Sequence, residues 1–97
     1  MDPLQILHDS DSDLHASISG NRELAFGDGE ISKKNKLLIA LAIDISKRAE
    51  NGIKSLALQA MAEGATKTEI TETLRIAHFV CGAGAMYSAA AALKEVL

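Results

Sequence analysis

Ninety-seven residues suffice for one domain with its own core, and the single cysteine, Cys81, excludes any disulfide within the chain. A formal net charge of −3 removes the electrostatic footprint of a nucleic-acid or anionic-membrane binder, and no apolar stretch approaches the ~20 residues of a membrane span. Nearly half the residues are apolar (47%) but only 3% are aromatic, so Ala, Leu and Ile must form the core, which points to an all-α fold of closely packed helices.

Met1-Asp2-Pro3-Leu4 lacks a basic patch followed by an apolar run, so a cytoplasmic protein is expected. Asp2-Pro3 fits a helix start, and Leu4, Ile6 and Leu7 supply a short apolar face before the polar run from Asp9 to Asp13. Leu14, Ile18, Leu24 and Phe26 predict a second helical segment broken near Gly20, and Gly27-Asp28-Gly29 marks a turn. Ser32 reads as an N-cap for one long helix, because no Gly or Pro interrupts Lys33 to Glu50. Between Leu37 and Ile45 only Asp44 is polar, too apolar for a helix with one wet face. In so short a chain this implies burial against other subunits.

Gly52 is expected to break or cap that helix, after which Ile53, Leu56, Ala57, Ala60 and Met61 recur at helical spacing until Gly64, giving a tight antiparallel pair. Thr66 and Glu69 have capping-box spacing, so a third helix starts at Thr66. Ile70, Leu74, Ala77 and Cys81 form its inner face, while Ile76, Phe79 and Val80 leave its far end apolar nearly all round. Gly82-Ala83-Gly84 then kinks or restarts the chain before the Ala-rich stretch from Ala85 to Leu97. No repeat or linker divides the chain, so residues 1–97 read as a single domain, with 1–31 a helical arm and 32–97 the core.

The run Lys33-Lys34-Asn35-Lys36-Leu37-Leu38-Ile39-Ala40-Leu41-Ala42-Ile43 and the later Ala60-Met61-Ala62-Glu63-Gly64-Ala65-Thr66-Lys67-Thr68-Glu69-Ile70-Thr71-Glu72 resemble the carboxymuconolactone decarboxylase family, which includes the alkyl hydroperoxidase D proteins. Gly82-Ala83-Gly84-Ala85-Met86 extends the resemblance towards Leu97. It implies an all-α, alkyl hydroperoxidase D-like helical bundle with a central helical hairpin, assembled as a homo-trimer or homo-hexamer. In the family's redox branch a Cys-x-x-Cys pair, a His and an upstream Glu carry peroxiredoxin-type activity: one thiolate attacks, the other resolves, and His and Glu relay protons. Those positions correspond here to Ala49, Gly52, Leu56 and Leu37, none of which can ionise or supply a thiol. The decarboxylase branch does not rely on that pair. It needs cations to hold a carboxylate and an acid to deliver a proton, for which Arg48, Lys54, Arg75 and His78 are available.

Catalytic candidates are therefore His78, Cys81 and Arg48. His78 and Cys81 lie three apart on one helix, so the imidazole could lower the thiol pKa, although a packing cysteine is the plainer reading. Asp44 and Arg48 are spaced to pair along a helix, and Tyr87 is expected to pack. His8 and His15, with Asp9, Asp11 and Asp13 between them, have no recognised metal-ligand spacing, and Gly82-x-Gly84 is no phosphate loop, so no metal or cofactor is expected. Two functional readings follow. One is an enzyme without the thiol pair, acting on a small organic acid or, through Cys81 alone, on a peroxide. The other is a non-catalytic oligomeric binding or scaffold module.

Overall fold

The computed structural model describes residues 3–97, which form six α-helices and no strand. The first two, α1 (Gln5–Ser10) and α2 (Ser12–Phe26), are separated by Asp11, whose carboxylate accepts the Leu14 amide at 3.0 Å and caps α2. Asp2, half of the expected helix start, lies outside the described residues; Pro3 and Leu4 form a turn and the helix begins at Gln5. The break expected at Gly20 is not there. One glycine costs a helix only about 1 kcal/mol, less than a capped helix of this length can absorb, and α2 runs through it. Neither α1 nor α2 contains a buried residue.

The Ser32 hydroxyl accepts the Asn35 amide at 3.1 Å and opens α3 (Lys33–Ser46) as the sequence predicts. Its end is different. The helix does not continue to Glu50, because Arg48 takes a left-handed conformation (φ 56°). The Arg48 amide donates to the Ile45 carbonyl (3.0 Å) and the Ala49 amide to the Asp44 carbonyl (3.1 Å), the paired bonds of a Schellman motif. With the chain already reversed, α4 (Glu50–Ala62) starts with Ala49 as N-cap, so Gly52 sits in its first turn instead of separating the two helices. The same motif ends α4 at Gly64 (φ 100°), through Gly64 to Met61 (3.0 Å) and Ala65 to Ala60 (2.9 Å).

The predicted capping box opens α5 (Lys67–Cys81): Thr66 Oγ1 accepts the Glu69 amide and Glu69 Oε1 accepts the Thr66 amide, both at 3.0 Å. Lys34 Nζ donates to Glu69 Oε2 at 2.8 Å and ties this start to α3. That bond first, and the Thr66 amide second, hold the Glu69 carboxyl below its ordinary value. Gly82 (φ 80°) breaks the chain before α6 (Ala83–Leu93).

The helices α3 and α4 form the central hairpin and share the largest helix–helix contact, with α5 against α3 and α6 across both α4 and α5. Leu37, Leu41, Ile45, Ile53, Ile70 and Leu93 are fully buried, and Ala57, Ala60, Ala85 and Ala89 between them let the backbones approach closely. Only one side of α3 is covered. Ile39 and Ile43 stay about half exposed, and on α5 Phe79 and Val80 are 90% and 75% exposed. No helix among the described residues is long and apolar enough to cross a membrane.

Candidate functional site

The positions that would hold the family's redox groups lie on the hairpin. Ala49, Gly52 and Leu56 follow one another up one side of α4. Ala49 has no side chain to cap the helix, Leu56 packs against the core, and Leu37 on α3 is buried within it. Gly52 is more than an omission. The Asp44 carboxylate occupies the space that a Cβ at position 52 would need, so any side chain there would have to displace it.

Asp44 and Arg48 do not pair. Their spacing predicts an ion pair only along a continuous helix, and α3 ends at Ser46, between them. Instead the Asp44 carboxylate turns to Gly52 on α4 and the Arg48 guanidinium lies against Gly84 at the start of α6. Arg48 is exposed, and it is the non-glycine residue with positive φ among those described. Lys54, another candidate cation, is engaged with Glu95 at 3.6 Å.

Further along, Thr71, Leu74, Arg75 and His78 from α5 and Met86 from α6 line a groove of about 290 Å³. Arg75 and His78 are exposed, and their side chains have no hydrogen-bond or ion-pair partner among the described residues. Cys81 is half-buried against the core, and no hydrogen bond joins its thiol to His78. The structure thus brings His78 together with Arg75, not with Cys81. Thr71, Leu74, Arg75 and His78 recur at three- and four-residue spacing, so their common face was readable from sequence; the Met86 wall depends on how α6 returns, which was not.

Tyr87 and the two N-terminal histidines lie elsewhere. Tyr87, expected to pack, is exposed because α6 turns Ala85 and Ala89 inward in its place. The His8 and His15 rings meet edge to face at 5.1 Å while Asp11 serves as the α2 cap, and no group of three or more potential ligands among the described residues could hold a metal.

The described residues form a six-helix, all-α bundle around a central hairpin, an alkyl hydroperoxidase D-like fold, in a sequence whose single cysteine rules out a Cys-x-x-Cys pair. The sequence matches the carboxymuconolactone decarboxylase family over residues 13–95, starting inside α2. The fold is similar to the crystal structure of an apo carboxymuconolactone decarboxylase family protein from Legionella pneumophila. The TM-score is 0.88 at 30% identity, covering 94% of this chain and 81% of that one. No protein of curated function matches the sequence significantly. The chain belongs to the carboxymuconolactone decarboxylase family.

Proposed function

We propose that this protein works without thiol chemistry and binds a small organic acid in the α5–α6 groove. Arg75 holds a carboxylate there and His78 exchanges a proton. The observation that carries this reading is the pairing of two unpartnered groups, Arg75 and His78, on one groove whose remaining walls include the apolar Leu74 and Met86. A guanidinium suits a carboxylate, and an imidazole can serve as a general acid or base. In a decarboxylation the C–C bond to the carboxylate breaks, CO₂ leaves and the electron pair stays on carbon; protonated His78 delivers the proton that quenches it and recovers one from water. Cys81 serves as packing, and Arg48 stands outside this groove, over Gly84.

The same reading makes the protein a cytoplasmic homo-trimer or homo-hexamer. It is supported by the exposed apolar side chains of α3 and α5, among them Ile39, Ile43, Ile76, Phe79 and Val80, and by a lone free thiol, which suits a reducing compartment.

The test is a titration with small mono- and dicarboxylates, followed through the His78 ring by NMR. Saturable shifts are expected in the wild type and should vanish in Arg75→Ala. Peroxide turnover with a thiol reductant should be the same for wild type and Cys81→Ser. A higher wild-type rate would replace this reading with a one-cysteine peroxidase, and no saturable binding would leave the non-catalytic oligomeric module.

A further inference from the structure

The charge of the chain is divided between its two parts. Residues 1–31 carry seven Asp and Glu side chains against the single Arg22, whereas residues 32–97 carry nine Lys and Arg against six Asp and Glu. The acidic part is also the part least held by its own subunit. Its links to the core are few: Arg22 donates to Gln59 Oε1 at 2.7 Å, Phe26 packs beside the core, and Lys36 donates to the Gly27 carbonyl at 2.7 Å. Ile6, Leu14, Ile18 and Leu24 are left exposed. The alignment with the Legionella protein covers 94% of this chain and so extends into the arm.

The basic part has a complementary vacancy. Between α3 and α5 runs an apolar groove of about 540 Å³, lined by Leu38, Ile39, Ala42, Ile43 and Ile76 of these helices and by Ile31, the last residue of the arm segment. Lys47, the C-cap of α3 four residues beyond Ile43, is exposed, and its ammonium has no ion-pair partner among the described residues. The arm of the same subunit is not directed there, because Arg22 fastens α2 to Gln59 on α4.

We propose that the arm formed by α1 and α2 docks through Leu14 and Ile18 into the α3–α5 groove of a second copy, with its aspartates towards Lys47. Two apolar surfaces, one on the acidic part and one on the basic part of the chain, each uncovered in its own subunit, cover one another when copies associate. The inference rests on the homo-oligomeric reading above and adds which surfaces meet.

The experiment uses full-length chains in a Cys81→Ser background. One chain carries Leu14→Cys and a differently tagged, co-produced chain carries Ile43→Cys; both positions are exposed, and circular dichroism checks that each variant folds. The control pairs Leu14→Cys with Leu58→Cys, an exposed position on α4. Under mild oxidation the Leu14–Ile43 pair should give about tenfold more linked heterodimer than the control, because docking raises the effective concentration of the two thiols. Adding Lys47→Glu to the groove chain should reduce that yield. Equal yields from the two pairs, with an oligomer still seen by light scattering, would overturn arm docking and leave the oligomeric reading standing. A monomer by light scattering would overturn both.

Discussion

The two arms of the central hairpin end in the same motif built from different residues. At the end of α4 the left-handed position is Gly64, with nothing within 4 Å of where a Cβ would stand; glycine is there for its backbone freedom alone. At the end of α3 the same pair of amide-to-carbonyl bonds is made around Arg48, a residue that pays about 1 kcal/mol or more to adopt that conformation. The first end is purely architectural. The second accepts strain and places a guanidinium against Gly84 of α6, at a position where glycine would place nothing. A reversal can thus be held by what lies under it, and Ile45, the residue whose carbonyl receives the Arg48 amide, is fully buried.

The largest expected effect tests that support. Ile45→Ala should destabilise the protein by about 3 kcal/mol in urea unfolding, because it opens a cavity in the core. Met61→Ala, the equivalent position at the end of α4, should cost clearly less because Met61 is only half-buried. Equal losses would mean that the two ends are anchored alike. Next come two substitutions of opposite sign: Gly64→Ala should lose about 1 kcal/mol and Arg48→Gly should gain up to about 1 kcal/mol, both through the left-handed position. An Arg48→Gly variant less stable than wild type would show that the guanidinium contributes more than its backbone costs. A smaller effect concerns the turn after Arg48. Gly52→Ala should gain up to about 1 kcal/mol of helix propensity in an Asp44→Ala background, and less in the wild type, where the new methyl displaces the Asp44 carboxylate. Identical gains in both backgrounds would remove the coupling between positions 44 and 52.

The sequence was readable wherever structure is decided within one turn of chain. Ser32 and Thr66 announce helix starts because their hydroxyls serve amides three residues on, and Gly64 and Gly82 announce ends because their backbones go where other residues resist going. The all-α class and the hairpin followed from the same signals together with the apolar spacing. The reading failed where a distant contact decides. Nothing near Arg48 marks a reversal, and Gly52 looks like a helix breaker until the Asp44 carboxylate is found beside it. The candidate site divides in the same way: Arg75 and His78 share a face by their spacing on α5, whereas the separation of Asp44 from Arg48 depends on where α3 ends.

The smallest effect sets the capping box after Gly64 apart from the uncapped start of α4 after Arg48, since only the former is closed by a carboxylate. The Glu69 carboxyl is held below its ordinary value of 4.5, first by the Lys34 hydrogen bond and then by the Thr66 amide. A depressed carboxylate pKa means that the folded state releases this proton more readily than the unfolded chain. Its contribution to stability is therefore fully present above the ordinary value and is lost as the pH falls through the lowered one. Lys34→Met removes the leading cause and should move the Glu69 titration, followed by carboxyl-carbon NMR, back up towards the ordinary value. Thr66→Ala keeps the amide and loses only the weakest contributor, the hydroxyl, so its shift should be smaller. A larger upward shift in Thr66→Ala than in Lys34→Met would mean that the cap, not the tie to α3, governs the charge at this turn.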